Sequence, residues 1–447
     1  MAITIQQDPT TPNVANSNLV YVVTSNLSSN AQFQYVLDIR DNSDTLIQRV
    51  KQQPNPSAKG VFDIGNIIPT QLGTDAVWNT DAAVTQSNVG QDFKITFGEE
   101  YGSSPSSSLT QSYNETSGSE YYFYFDGFQN ESALKNFNWN SASKYDEEDT
   151  DGGTFTHQNG LTDFPATQSI RLEDYHTISF LNGNLLGEFS GSLDSGSAQD
   201  VYAVIMRQYD STGTEISESV IYNNGNGGPR GNSIQPWSTV YQNQDESTRL
   251  IHFPAGPENW SDAGFPIDTD TSYYELTFNN QALSPTGVNE DGIWGQYRFV
   301  ITDKNCGYNG VRFAWKNRYG VWDYYTFGLA ESTTSTIERK QYKQSFVDFS
   351  TTTNSVNYNR ERRGKTNYYN EVTKLRTAQT DYLNQTDADN IRELFFSTDV
   401  FVQQANGEWW PVIIETATVT EKVNPRTQKL YTYRVEYQFA NGQRPRL

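Results

Sequence analysis

The sequence predicts a mostly β, multidomain chain of β-sandwich or jelly-roll-like domains, with one short helix near the C-terminus. Three observations lead there. Hydrophobic residues alternate with polar ones at a period of two, as in strands with one wet face. Clusters of Gly, Pro, Asn and Asp separate these runs. Helical periodicity is scarce. Only 35% of the 447 residues are hydrophobic, but 9 Trp, 28 Tyr and 24 Phe are present, so the cores are expected to lean on large rings. The length exceeds an ordinary domain and implies two or three.

The elements follow in chain order. Phe33, Tyr35, Leu37 and Ile39 alternate with Gln34, Val36 and Asp38, a strand pattern. Turn signals stand at Asp41-Asn42-Ser43-Asp44 and Gln53-Pro54-Asn55-Pro56, and residues 1–78 read as an N-terminal β-sandwich. Residues 79–119 read as a connecting strand and a Ser/Gly-rich loop, Gly102 to Gly118. Residues 120–295, opening on Tyr121-Tyr122-Phe123-Tyr124-Phe125, read as a central sandwich, and 296–447 as a β-rich C-terminal domain. Ala405-Asn406-Gly407 and Asn424-Pro425-Arg426 read as hairpin connections there. The cleanest alternation runs from Tyr431 through Tyr433, Val435 and Tyr437 to Phe439. The one helix is expected over 386–397, with Thr386 and Asp389 resembling a capping box and Ile391, Leu394 and Phe395 on one face.

Composition removes several function classes. With 32 Lys+Arg against 53 Asp+Glu the net charge is −21, a surface that repels phosphate and argues against nucleic acid and anionic membranes as partners. One cysteine, Cys306, excludes an intrachain disulfide and a thiolate metal cluster. Three histidines, His157, His176 and His252, leave little for an imidazole metal site. No basic leader with an apolar core opens the sequence, and no apolar run approaches the ~20 residues that span a bilayer, so membrane insertion is not expected. The charge is uneven: residues 331–447 carry 16 Lys+Arg against 14 Asp+Glu (net +2), and residues 1–330 carry 16 against 39 (net −23).

Each chemical motif has a plainer alternative. Glu147, Asp149 and Asp151 alternate before Gly152, as ligands of a calcium loop do. The first ligand is Glu rather than Asp, and Gln158 occupies the twelfth position, so a solvated acidic loop is the default and calcium a weak candidate cofactor. The glycines of Asn223 to Gly231 lack the spacing and the Lys of a phosphate loop. Neither a G-x-S-x-G elbow nor an H-E-x-x-H pair occurs, and no enzyme activity is expected. Cys306 reads as a buried small hydrophobe and His176 as a packed or surface side chain. Trp237, Trp260 and Trp294 lie near polar loops and suit either a sugar face or core packing. Trp315 and Trp322, in the alternating run Arg312–Phe327, suit either subunit contact or core. Arg360, Arg362 and Arg363 form the strongest cationic cluster, suited to an acidic face of a neighbouring copy.

Four segments together resemble tail-associated structural proteins of tailed bacteriophages, especially those infecting Bacteroidetes. They are Phe33–Ile39 followed by Gly60–Gly65, Phe97–Gly102, Val311–Phe327, and Leu394–Pro411. The resemblance implies a virion protein assembled in the host bacterial cytoplasm. It further implies a homo-oligomeric ring or hub in the tail or neck, with other tail or neck proteins as partners. No functional residues carry over, because such proteins work through surfaces. A host-surface glycan adhesin, or a carbohydrate-active domain in residues 120–295, is the alternative reading.

Overall fold

The computed structural model describes residues 3–9, 13–41, 43–73, 77–79, 84–85, 89–113, 121–128, 160–181, 203–222, 233–234, 250–279, 293–302, 310–345, 347–358, 361, 364–419 and 430–441. The fold is mostly β, in several separate sheets with short helices. The chain divides into two compact units: residues 1–303 with 315–324, and residues 304–314 with 325–447. It therefore passes from one unit to the other three times.

The first unit holds two sandwiches. In the N-terminal one, a three-stranded sheet (Ile3–Gln7, Val20–Ser25, Lys59–Asp63) shares a core with a larger sheet ordered Asn13–Asn16, Tyr121–Phe128, Gly90–Gly102, Ala31–Arg40, Leu46–Gln52. The expected alternation holds: Phe33, Tyr35, Leu37 and Ile39 enter this core. Val36 and Asp38 are also buried, on the opposite face, because Ala31–Arg40 is a central strand; Asp38 there accepts from Arg49 at 2.6 Å. The sandwich does not end near residue 78. Gly90–Gly102 and Tyr121–Phe128 lie inside its larger sheet, so the strand expected in a connector and the start of the expected central domain belong here. Part of the Ser/Gly-rich stretch is itself a strand, Thr110–Tyr113, paired with Gly98–Tyr101.

The second sandwich sets Thr167–Ile170, Ile293–Ile301, Tyr273–Asn279, Ala203–Tyr209, Glu215–Tyr222 and Ser233–Ile234 against Thr177–Leu181, Leu250–Pro254 and Val84–Thr85. Its core includes Ile178, Phe180, Phe253, Leu276, Phe278 and Phe299. A helix the periodicity did not reveal, Pro257–Asp262, follows Leu250–Pro254 and buries Trp260 and Asn259. Six residues are too few for an amphipathic repeat to register. A further cluster, including Val14, Phe123, Phe125, Leu250 and Val321, joins the two sandwiches.

Residues 315–324 complete this unit. Trp315 packs on Phe164 at 5.9 Å, and Trp322 meets Trp78 edge-on at 4.8 Å. The turn at Asn317 to Val321 is closed by Asn317 N donating to Val321 O (2.8 Å), with Gly320 at φ +74°. A Cβ on Gly320 would fall 1.0 Å from Asp126 O, so both backbone angle and space demand glycine.

The second unit is built on a seven-stranded sheet ordered Trp322–Phe327, Val311–Lys316, Val400–Gln403, Trp409–Ile414, Arg434–Phe439, Lys365–Gln379, Ala330–Lys343, of whose first two strands only residues 325–327 and 311–314 belong to this unit. The Asn406-Gly407 turn forms as expected, with Gly407 at φ +82° and Gln404 N bonded to Glu408 O at 2.7 Å. The Asn424-Pro425-Arg426 turn lies outside the described residues. The expected helix is present as Gln385–Ile391 and Glu393–Phe396. Its cap is Asn384 rather than Thr386: the Asn384 side chain accepts from Asp387 N at 2.8 Å. Among the described residues no helix is long and apolar enough to cross a membrane.

Two substitutions test this packing. Trp322→Ala removes a buried ring and is expected to cost roughly 3–5 kcal/mol in urea unfolding. Gly320→Ala is expected to cost at least about 2 kcal/mol, read as a lower midpoint in the same measurement.

Candidate assembly surface

The hairpin of Ala330–Lys343 with Lys365–Gln379 starts inside the seven-stranded sheet and leaves it. Arg376 to Gln379 pair with Tyr437 to Arg434. Further out, the ten pairs from Thr334↔Leu375 to Lys343↔Lys365 form a ribbon in which, among the described residues, no third strand takes part. A second hairpin, Val347–Ser350 with Ser355–Tyr358, lies in the connection between the two long strands. The sequence explains why the ribbon is a strand pair without a core. Glu331 to Lys343 reads Glu-Ser-Thr-Thr-Ser-Thr-Ile-Glu-Arg-Lys-Gln-Tyr-Lys, which has high β propensity at the threonines but no apolar face.

All of residues 331–345 are exposed, and at the base of the ribbon Glu331 accepts from Arg376 and Tyr437. The exposed large side chains of the arm are Ile337, Tyr342, Phe349, Val356, Tyr358, Tyr368 and Tyr369, with Tyr358 at 70% and Tyr368 at 64%. A register shift between Lys340 and Gln341 sets Tyr368 beside Tyr342, ring centroids 6.1 Å apart. Lys340 Nζ lies 5.2 Å from the Tyr369 ring centroid, a cation over a π face. The arm thus interleaves exposed aromatic and aliphatic groups with cations. A two-stranded ribbon alone is marginal in water, and this one is anchored at its base by the pairs of Arg376–Gln379 with Tyr437–Arg434.

The residues singled out from the sequence fall in several places. Trp315 is fully buried and Trp322 is 3% exposed, so both are corrected from contact residues to core: rings without surface offer nothing to a neighbour. Trp260 is likewise core, 2% exposed, which removes it as a sugar platform. The Trp237 residue and the Trp294 side chain lie outside the described residues. Arg360, Arg362 and Arg363 lie outside them too, although in sequence they fall between the arm strands Ser355–Tyr358 and Lys365–Gln379. Glu147, Asp149 and Asp151, the glycine-rich loop at 223–231, His157 and Cys306 are also outside. Among the described residues no group of three His, Cys, Asp or Glu is placed to hold a metal ion. His176 is buried, with its ring 5.1 Å from Phe299 and 4.8 Å from Tyr324.

Sequence reasoning passed over His252. Its Nδ1 is 2.7 Å from Ser179 Oγ in a wholly buried setting, and Nε2 has no hydrogen-bond partner among the described residues. The signal was available: His252 is the centre of Leu-Ile-His-Phe-Pro, a continuous apolar run that reads as a strand buried on both faces. Ser179 and His252 face each other across the paired strands Thr177–Leu181 and Leu250–Pro254, both buried. No protein-family model matches the chain, and no curated protein matches it.

Burial holds the His252 imidazole down to about 4, from an ordinary value of 6.5. The unfolded chain takes up the proton near pH 6.5 and the folded chain refuses it until about pH 4. Stability is therefore full above the unfolded value and falls as pH drops through that window, by about 2 kcal/mol between pH 7 and 5. His252→Gln is expected to remove that share of the pH dependence, measured as urea midpoints at the two pH values.

Proposed function

We propose that the chain is a building block of a tailed-bacteriophage particle, placed in the tail or neck, that assembles into a homo-oligomeric ring or hub through its projecting β arm. In this reading it works by contact with its own copies and with other tail or neck proteins, not by catalysis. One observation carries the reading: the ribbon of Ala330–Lys343 and Lys365–Gln379 leaves its sheet with residues 331–345 all exposed and aromatic groups on view. An edge strand this long is a liability for a protein that stays alone. Lys340, Lys343 and the register shift beside them blunt strand addition along this edge, so side chains rather than backbone are what the ribbon offers a neighbour.

The test removes the arm and keeps the sheet. Thr334 is joined to Leu375 by an Asn-Gly turn, leaving the pairs Ala330↔Gln379 to Thr334↔Leu375 in place. Light scattering of the parent chain is expected to show concentration-dependent assembly, and the shortened chain is expected to stay monomeric with its urea midpoint nearly unchanged. A parent that remains monomeric at every concentration, or a shortened chain that assembles as well as the parent, overturns the reading. Immunogold labelling of purified particles checks the place in the virion.

A further inference from the structure

The arm's chemistry names what would cover it. The ribbon strands, residues 334–343 and 365–375, carry five Lys+Arg (Arg339, Lys340, Lys343, Lys365 and Lys374) against Glu338 and Glu371, a net of +3. The first compact unit, residues 1–303 with 315–324, carries 14 Lys+Arg against 39 Asp+Glu, a net of −25. A chain that is −21 as a whole thus concentrates positive charge on its most exposed strand pair. Two arms brought together would repel. An arm laid on the first unit of another copy would be attracted over a Debye length of ~10 Å at 0.1 M salt before any apolar contact forms.

Size sets the scale of the contact. The ten-pair ribbon and the four-pair tip hairpin amount to ~45 Å of strand, about 10 Å wide. One face offers ~450 Å², a little over half of the ~800 Å² per partner of a standard interface, so a ribbon laid flat makes a small contact in which charge carries more of the attraction. The exposed aromatics Tyr342, Phe349, Tyr358 and Tyr368 supply anchors, and Lys340, Lys343 and Lys365 supply the surrounding charge.

Resting on the building-block reading above, we propose that the β arm of one copy docks on the acidic first unit of the next. The contact is heterologous, with arm meeting body rather than arm meeting arm. Such contacts close into a ring when the rotation per step divides the circle, and otherwise propagate as a filament. Charge steers the encounter, and the aromatic groups hold it.

The experiment uses the full chain with a photo-crosslinking phenylalanine analogue at position 368. Isotopically heavy and light copies are mixed, and heavy–light cross-links are mapped by mass spectrometry. Cross-links from position 368 into residues 1–303 of the other copy are expected. The triple substitution Lys340→Glu, Lys343→Glu, Lys365→Glu is expected to weaken assembly roughly tenfold or more at low salt and far less at high salt, where the attraction is already screened. Tyr342→Ser with Tyr368→Ser is expected to weaken assembly at both salt concentrations. If copies assemble but the cross-links run arm to arm, or charge reversal changes nothing, the docking proposal falls and the building-block reading stands. A chain that stays monomeric throughout overturns both.

Discussion

Buried tyrosine hydroxyls tie the sandwiches together. A chain with so few aliphatic residues fills its cores with rings, and each ring that ends in a hydroxyl must find a partner or lose about 1–3 kcal/mol. The partners lie across the sandwich. Tyr21 of the smaller N-terminal sheet meets Tyr124 of the larger at 2.7 Å, hydroxyl to hydroxyl. Tyr35 accepts from Ser25 N of the opposite sheet and donates to Ala58 O, fastening the loop that crosses between the sheets. In the second sandwich Tyr274 donates to Ala255 O, just beyond Leu250–Pro254, and Tyr297 accepts from Gly160 N. Apolar area alone would tolerate a slid or rotated pair of sheets. These hydroxyls do not, because each reaches its partner in one registration.

The arm is the counterpart of this arrangement. It carries tyrosines too, with exposed rings whose hydroxyls bond within the arm: Tyr342 donates to Gln344 and Tyr369 to Glu371. Tyr342 and Tyr368 have each other, and Tyr369 has the Lys340 ammonium. The same residue type that seals the sandwiches is left on the ribbon in the form preferred at protein contacts, an apolar body with a polar tip.

Much of the fold was legible locally. Phe33 to Ile39 alternates over a central strand, Asn406-Gly407 has the residues a tight turn requires, and Ile391 and Leu394 mark the helix face that is buried. The domain boundaries were not legible. Gly90–Gly102 belongs to the N-terminal sandwich because Ala31 pairs with Gly102 and Arg40 with Lys94, and a pairing across more than fifty residues leaves no mark in either segment. The arm escaped notice for a different reason: a strand exposed on both faces has no hydrophobic period to detect. Its basic cluster was visible, and so was the charge asymmetry. Trp315 and Trp322 misled because large aromatics serve cores and interfaces equally, and only burial distinguishes the two.

The chain's three passages between its units bear on synthesis and dissection. A ribosome makes residues 1–303 eleven residues ahead of the Trp315–Tyr324 segment that completes the same unit. Until that segment arrives, Trp78 and Phe164 lack the indoles they pack on. The nascent body thus waits, with apolar surface uncovered, for a piece encoded after the start of its neighbour. Cutting the gene at residue 303 would yield a fragment frozen in that waiting state, and a usable separate body would need the later hairpin grafted back onto its end.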